Sequence, residues 1–476
     1  MAYRERGKRT GRGTPGERPA PRAVTRRRLT LAGGAAALAA AACGAPSPAP
    51  GAAGAGSSAP PARVRFTSQN VEPPHSDAER QVVDLFRERH PNVQVEGELY
   101  KGEDVREKLI VLAAAGTAPD VADIETKWLP GFYVKGLLQD LTGQARRLGV
   151  KADDYYPQEW QKAQIGGKLY CFPLDLQIVV MYVNKDLFAA RGVPLPPAKW
   201  DDPKWTWDEA LARARQLSGG EGGGRTFGLD FSRSWLYTYP LIWSNGGAVL
   251  NKEHTRATIA DGTVADAVQF RADLLLKHRV HPDADELKAG GGSMPLFINK
   301  RLGMEAIWSP WAFRIAAQDP TVAYDLAPMP RGKAGSFTRA PSDSLIALAG
   351  TKAPDAAAAL AAFVAGEEGQ RRLVADAGLG IPPLKKIARS DDFLKPKGRG
   401  VEGRNFQVML DALESGHYKF QDVTTAWDEM SKVVGDAHER VLLGQLSAAE
   451  MARGVAPQID ALLAAVTPEG RAFLGD

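Results

Sequence analysis

The chain has 476 residues, 44% hydrophobic and 24% charged, which excludes wholesale disorder and fits two or three domains of ordinary size. Residues 1–42 hold ten Lys or Arg against two Glu, so the remaining 50 basic and 54 acidic residues are net −4, although the whole chain is +4. With no basic surplus to neutralise phosphates and no window of about 20 apolar residues, a nucleic-acid binder and a polytopic membrane protein are both excluded.

In chain order, the first feature is a leader. Basic residues ending in Thr25-Arg26-Arg27-Arg28 precede Leu29-Thr30-Leu31 and a small apolar run to Ala42. A basic start, a short apolar run and small residues before a cut site make an export signal at 1–42. The paired arginines ahead of Leu29 resemble a twin-arginine signal; a general secretory signal is the alternative. Cys43 follows three alanines and resembles a lipobox cysteine, with Ala40 where the usual Leu would stand. The Ala/Gly/Pro/Ser composition of 43–62 cannot bury a core and reads as a flexible tether behind a lipid anchor. A plain spacer after signal cleavage is the alternative. The second cysteine, Cys171, lies among Leu169, Tyr170 and Phe172 and reads as a buried small hydrophobe, so no internal disulfide is expected.

Alternation at Val64 and Phe66 predicts a strand. Ser76-Asp77-Ala78-Glu79 reads as a capping box opening a helix that must stop near His90, before Pro91. Val93, Val95 and Leu99 alternate as a second strand, and strand–helix–strand implies a parallel α/β unit. The same grammar recurs: a buried strand at Ile178 to Val183, and a second capping box at Thr206-Trp207-Asp208-Glu209 before a helix through Leu217. A helical face follows at Val264, Val268, Leu274 and Leu275, then strands at Leu302 to Ile307 and Leu345 to Leu348. Pro354 opens an Ala-rich helix ending near Gly366, and Val434, His438, Val441 and Leu442 mark a helical C-terminal region.

Catalytic patterns are missing: there is no G-x-S-x-G, H-E-x-x-H or C-x-x-C. Gly219 to Thr226 has the spacing of a phosphate loop, but Arg225 stands where Lys is needed and a helix precedes it, so it reads as a connector. His281, Asp283, Asp285 and Glu286 match no calcium loop and read as a solvated turn after Pro282; Glu367 and Glu368 read as an exposed pair at a helix end. No metal or cofactor is expected.

Seven of the ten tryptophans fall between Trp200 and Trp311. An indole face matches the C–H face of a sugar ring, and carboxylates and amides bond the hydroxyls around its edge. Trp205 and Trp207 flank a helix start and read as packing; Trp243, Trp308 and Trp311 sit near strand ends or turns and are the better candidates.

Across the same region the chain resembles the extracellular solute-binding proteins of ABC importers, in the group with maltose-binding and other sugar-binding proteins. The resemblance runs through LFRERHPNVQVE (Leu85 to Glu96), LAAAGTAPDVADIE (Leu112 to Glu125) and VKGLLQDL (Val134 to Leu141). It continues in GGKLYCFPLDLQIVVMYVNKDLF (Gly166 to Phe188), KWTWDEAL (Lys204 to Leu211), YTYPLIWSNGGAVL (Tyr237 to Leu250) and LFINKRLGMEAIWSPWAF (Leu296 to Phe313). It implies a two-lobed α/β fold of the periplasmic-binding-protein type II class, closing on a solute by hinge motion. The implied lobes are 63–176 with 340–390 and 177–339 with 391–476. Crossings are expected just after Pro173, near Pro328 to Pro341 and near Lys385 to Leu394.

By position, the resemblance places Trp311 as the stacking aromatic after Pro310 and Asp175 as a carboxylate at the first crossing. Trp243 before Asn245-Gly246-Gly247, Trp308, Trp427, Glu125, Trp128 and Asn70 complete the expected ligand-binding set. Two glutamates of maltose-type relatives are replaced by Ser234 and Gln177, so maltodextrin specificity is not implied. The implied function is an exported, monomeric, non-enzymatic receptor that delivers a carbohydrate to a membrane permease while anchored through Cys43. Two alternatives remain open. One is a glycerol-phosphate or polyol receptor, with Arg233 and Arg314 as the basic residues to test. The other is a secreted glycan hydrolase, which would need two carboxylates such as Asp175 and Glu125 across a cleft.

Overall fold

The computed structural model describes residues 61–69, 73–99 and 105–471. The expected export signal, Cys43, nearly all of the tether and Asn70 lie outside the described residues. Among the described residues no helix is long and apolar enough to cross a membrane.

Two sheets organise the chain. The first has five strands in the order Val93–Leu99, Ala62–Ser68, Val121–Glu125, Ser342–Ala347, Phe172–Leu176. Its first three strands run parallel and are joined through helices, as the strand–helix–strand grammar requires; Ser342–Ala347 returns antiparallel to both its neighbours. The second sheet has four strands in the order Tyr324–Ala327, Val179–Asn184, Leu302–Trp308, Phe227–Phe231. Val179–Asn184 is buried at every position, which is why it reads as an unbroken apolar run rather than an alternation.

Local rules account for the helices on the sheets. His75–Arg89 ends at His90 ahead of Pro91. Its expected capping box at Ser76 to Glu79 is not formed: the N-cap is Pro74, two residues before Ser76, and no side chain caps the helix. Glu79 instead turns inward and accepts from Ser68 Oγ at 2.5 Å, so the tertiary contact wins over the local one. At Trp207–Leu217 the Thr206 hydroxyl does accept from the Glu209 N–H. That helix lies directly on the second sheet because Gly228 and Gly303 present no side chain. A Cβ at Gly228 would sit 1.9 Å from the Ala214 carbonyl oxygen, and one at Gly303 would sit 2.8 Å from Leu217.

The C-terminal region forms the helices Trp427–Leu442 and Ala448–Ala464, which pack on each other and on Gly262–Leu276 beside the second sheet. Cys171 is fully buried and burial pushes its thiol up to about 12, in line with a packing role. Gly219 and Thr226 bridge as a helix-to-strand connector. The 281–286 segment departs from a solvated turn. Asp283 and Glu286 form a reciprocal capping box for the helix Ala284–Gly290, and His281 is buried against Asp230 at 2.6 Å. Glu367 and Glu368 are engaged in ion pairs with Lys386 and Arg89.

Candidate functional site

The chain passes between the sheets at Gln177–Ile178, again between Ala327 and Ser342, and a third time after Gln370–Asp376 through the short helices Lys385–Ala388 and Asp391–Leu394. On the second passage Thr338–Arg339 pairs in parallel with Tyr418–Lys419. The sheet ends, the loops behind them and these crossings surround one junction.

From the first sheet, strand register sets out a row of acids. Asp343 is opposite Glu125 on one side and Asp175 on the other, so three carboxylates lie abreast on neighbouring strands. Asp123 shares the Glu125 face two residues earlier. Burial, reinforced by neighbouring acids, pushes Asp123 and Asp343 well above the usual carboxylate range. Burial raises Asp175 to about 7, even though it accepts from the Asp343 N–H at 3.1 Å. Glu125 is half-buried and pairs with Lys127 at 2.6 Å. Trp128 follows, 7% exposed, with the Lys127 ammonium 5.4 Å from its ring centroid. Behind the row, Glu159 and Lys162 form a buried pair at 2.6 Å; burial raises the acid and lowers the base.

From the second lobe come two aromatic clusters, one at a strand end and one on helices. Trp308, at the strand end, is half-buried with its ring centroid 4.6 Å from Tyr237. Tyr239 stands 4.9 Å from both Trp235 and Trp243, and Trp427 lies 6.0 Å from Trp235. The Arg339 guanidinium is 4.9 Å from the Trp308 centroid. Burial lowers Arg339 to about 10, partly offset by Tyr239, by Glu125 of the first sheet and by Tyr237, so Arg339 lies where acids and aromatics meet. The chain is also tied across the junction where Arg106, on the helix Val105–Ala114 of the first lobe, pairs with Asp428 beside Trp427.

Of the expected residues, Trp243 and Trp427 fall in one aromatic group around Tyr239, Trp308 pairs with Tyr237 beside Arg339, and Glu125 and Asp175 fall in one carboxylate row. Trp311 stands apart: it opens the helix Trp311–Gln318 and packs edge-on against Tyr182 at 5.2 Å and Phe297 at 5.5 Å. Arg233 is held by Glu439, and Arg314 lines a separate cavity of about 760 Å³ together with His75, Arg372 and Arg399. Tyr237, Tyr239, Asp343 and Arg339 were not singled out from sequence. The two tyrosines carried a signal, lying in the quoted YTYP stretch; Arg339 carried none, because only the return of the chain brings it to Trp308.

Comparison with known proteins agrees with this architecture. A Brucella abortus (strain 2308) protein carrying a binding-protein name is 26% identical over 415 residues, 86% of this chain and 95% of the relative. The Listeria monocytogenes ABC substrate-binding protein in complex with cycloalternan superposes with a TM-score of 0.74 at 21% identity, covering 85% of this chain and 99% of that one. The maltose-bound MalE3 of T. maritima gives a TM-score of 0.71 at 20% identity, covering 84% and 100%. The fold is thus the two-lobed α/β fold of these binding proteins. The model of the bacterial extracellular solute-binding protein family matches residues 72–371, and the chain belongs to that family.

Proposed function

We propose that the chain is the extracytoplasmic receptor of an ABC importer, binding a mono- or oligosaccharide between its lobes and delivering it to a membrane permease. The observation that carries this reading is the half-buried Trp308, set against Tyr237 and Arg339 at a strand end, together with the carboxylate row at Glu125, Asp343 and Asp175, one of whose members, Glu125, acts on Arg339. Aromatic faces suit the C–H face of a pyranose, and carboxylates accept from its hydroxyls. The maltose bound by the T. maritima relative is of the same chemical class. Trp128 and Asn70 complete the proposed set, while Trp311, packed against Tyr182 and Phe297, supports the lobe from within.

The proposed lobes are 63–176 with 340–390 and 177–339 with 391–476. The receptor acts as a monomer, held at the outer face of the cytoplasmic membrane through lipidated Cys43. It binds its solute without cleaving it. The test is a thermal-shift screen against neutral mono- and oligosaccharides and polyols. A ligand at a thousand times its dissociation constant adds about 4 kcal/mol to the native state, so a true solute raises the melting temperature clearly. A panel with no stabilising sugar overturns the carbohydrate reading, and release of free sugar from a bound oligosaccharide overturns the receptor reading.

A further inference from the structure

Two arginines are buried in the second lobe, and their surroundings differ. Arg271 is 1% exposed, and both its amino groups are engaged: one donates to Ser234 O and Thr238 Oγ1, the other to Ser232 O and Phe231 O, with Asp230 nearby. Such a cation is held by protein alone. Arg339 is 2% exposed, and its one hydrogen bond runs from Nε to Gln421 Oε1 at 3.0 Å. Among the described residues, neither Arg339 amino group meets an acceptor and no carboxylate comes within ion-pairing distance. The guanidinium rests on the Trp308 face and on Gln421, which leaves its two amino groups as donors available to a bound acceptor.

The groups around Arg339 are donors too. An arginine can only donate, so Gln421 must turn its oxygen to Arg339, and its Nε2 amide becomes a buried donor with no acceptor. The hydroxyl of Tyr239, whose charge would act on Arg339, is likewise buried without a partner. In the crossing ladder Arg339 is in register with Lys419, whose exposed ammonium rests 4.1 Å from the centroid of the Phe337 ring and, as a donor only, supplies no acceptor to Arg339. The acid that acts on Arg339 from the first sheet, Glu125, is balanced by Lys127 at 2.6 Å. Trp308, half-buried beside Arg339 at the end of its strand, leads from the junction to this group.

We infer that the solute carries an anionic group, a carboxylate or a phosphate, received by Arg339 with Gln421 and Tyr239. The inference rests on the receptor reading and narrows it from carbohydrates in general to acidic ones: uronic acids, phosphorylated sugars or a phosphorylated polyol. It also moves the basic determinant from Arg233 and Arg314 to Arg339. A guanidinium meets two oxygens of either anion in fork geometry, which a neutral hydroxyl cannot match.

The test is calorimetric titration of the full chain with a paired library. Each neutral mono- and oligosaccharide is run beside its uronic acid and its phosphate, and glycerol beside glycerol 3-phosphate. The expected result is an acidic member binding at least tenfold tighter than its neutral partner. Arg339→Gln collapses that ratio towards one, and Arg339→Lys, which keeps the charge without the fork, leaves an intermediate ratio. Whether the carboxylates or the phosphates win names the source of the charge. Circular dichroism checks that the variants fold; if Arg339→Gln does not, the ratio in Arg339→Lys decides. A neutral sugar that binds as tightly as its acidic partner, or a ratio that survives substitution, overturns the inference and leaves the receptor reading standing. A library with no binder overturns both.

Discussion

Trp308 and Trp311 are three residues apart, yet their rings meet different surroundings. Trp308 ends a strand and leaves part of its ring exposed beside Tyr237 and Arg339. Trp311 begins a helix, is 6% exposed and packs against Tyr182 and Phe297. Trp311→Ala therefore leaves a cavity in the second lobe and should cost about 3–5 kcal/mol, measurable by urea denaturation of the solute-free protein. Trp308→Ala should cost much less in that assay. A loss near zero for Trp311→Ala would mean that its ring is not part of the core. Asp175 yields a prediction about pH. Burial raises its folded pKa from 3.8 to about 7, so the stability linked to its neutral form is full below pH 3.8 and is lost as pH rises towards 7. Asp175→Asn has no such titration. It should gain stability relative to the parent as pH rises from about 4 to 7, read from urea midpoints across that range. At this scale the sequence was an uneven guide. Residue type and placement singled out Trp243 and Trp308, and the family resemblance added Trp427, Glu125 and Asp175. They could not reveal that Asp343 lies between two of these acids, because that neighbourhood exists only once three distant strands pair in register.

The elements follow periodicity closely where periodicity decides them. The apolar run at Ile178 to Val183 became a fully buried strand, and the helical face at Val264 to Leu275 became Gly262–Leu276. Capping patterns were less dependable, for a physical reason. A cap competes with every other partner its side chain can reach, and Glu79 found Ser68 while Thr206 kept its local bond. Thr206→Ala should therefore destabilise the protein by about 1 kcal/mol, whereas Ser76→Ala should show no capping loss. Guanidinium melts of the two variants make the comparison, and equal losses would contradict it. The approach of Trp207–Leu217 to the sheet offers a sharper test. Gly228→Ala places a methyl on the Ala214 carbonyl, so helix and strand must move apart, at a cost of about 1–3 kcal/mol.

The passages of chain between the sheets were expected from the family resemblance rather than from any local pattern, and the first lies at Gln177–Ile178 because Phe172–Leu176, which contains Pro173, is still a strand of the first sheet. What holds the lobes in contact was not legible, since Arg106 and Asp428 are far apart in sequence and belong to no motif. Their ion pair joins the helix Val105–Ala114 of the first lobe to the first turn of Trp427–Leu442, a helix that packs with the second. The side chains are 27% and 42% exposed, so water screens the pair and its contribution should be modest, within about 1 kcal/mol. Even that is enough to bias a hinge equilibrium: 1 kcal/mol changes a population ratio about fivefold. Asp428→Asn should therefore shift solute-free molecules towards separated lobes, seen as a larger radius of gyration in small-angle scattering that returns to the parent value when solute is added. Because a binder's affinity falls with the population of its competent state, solute affinity should drop by up to about fivefold. The change should vanish at high salt, where the parent pair is itself screened. An unchanged radius together with unchanged affinity at low salt would mean that lobe contact is set by the crossings alone.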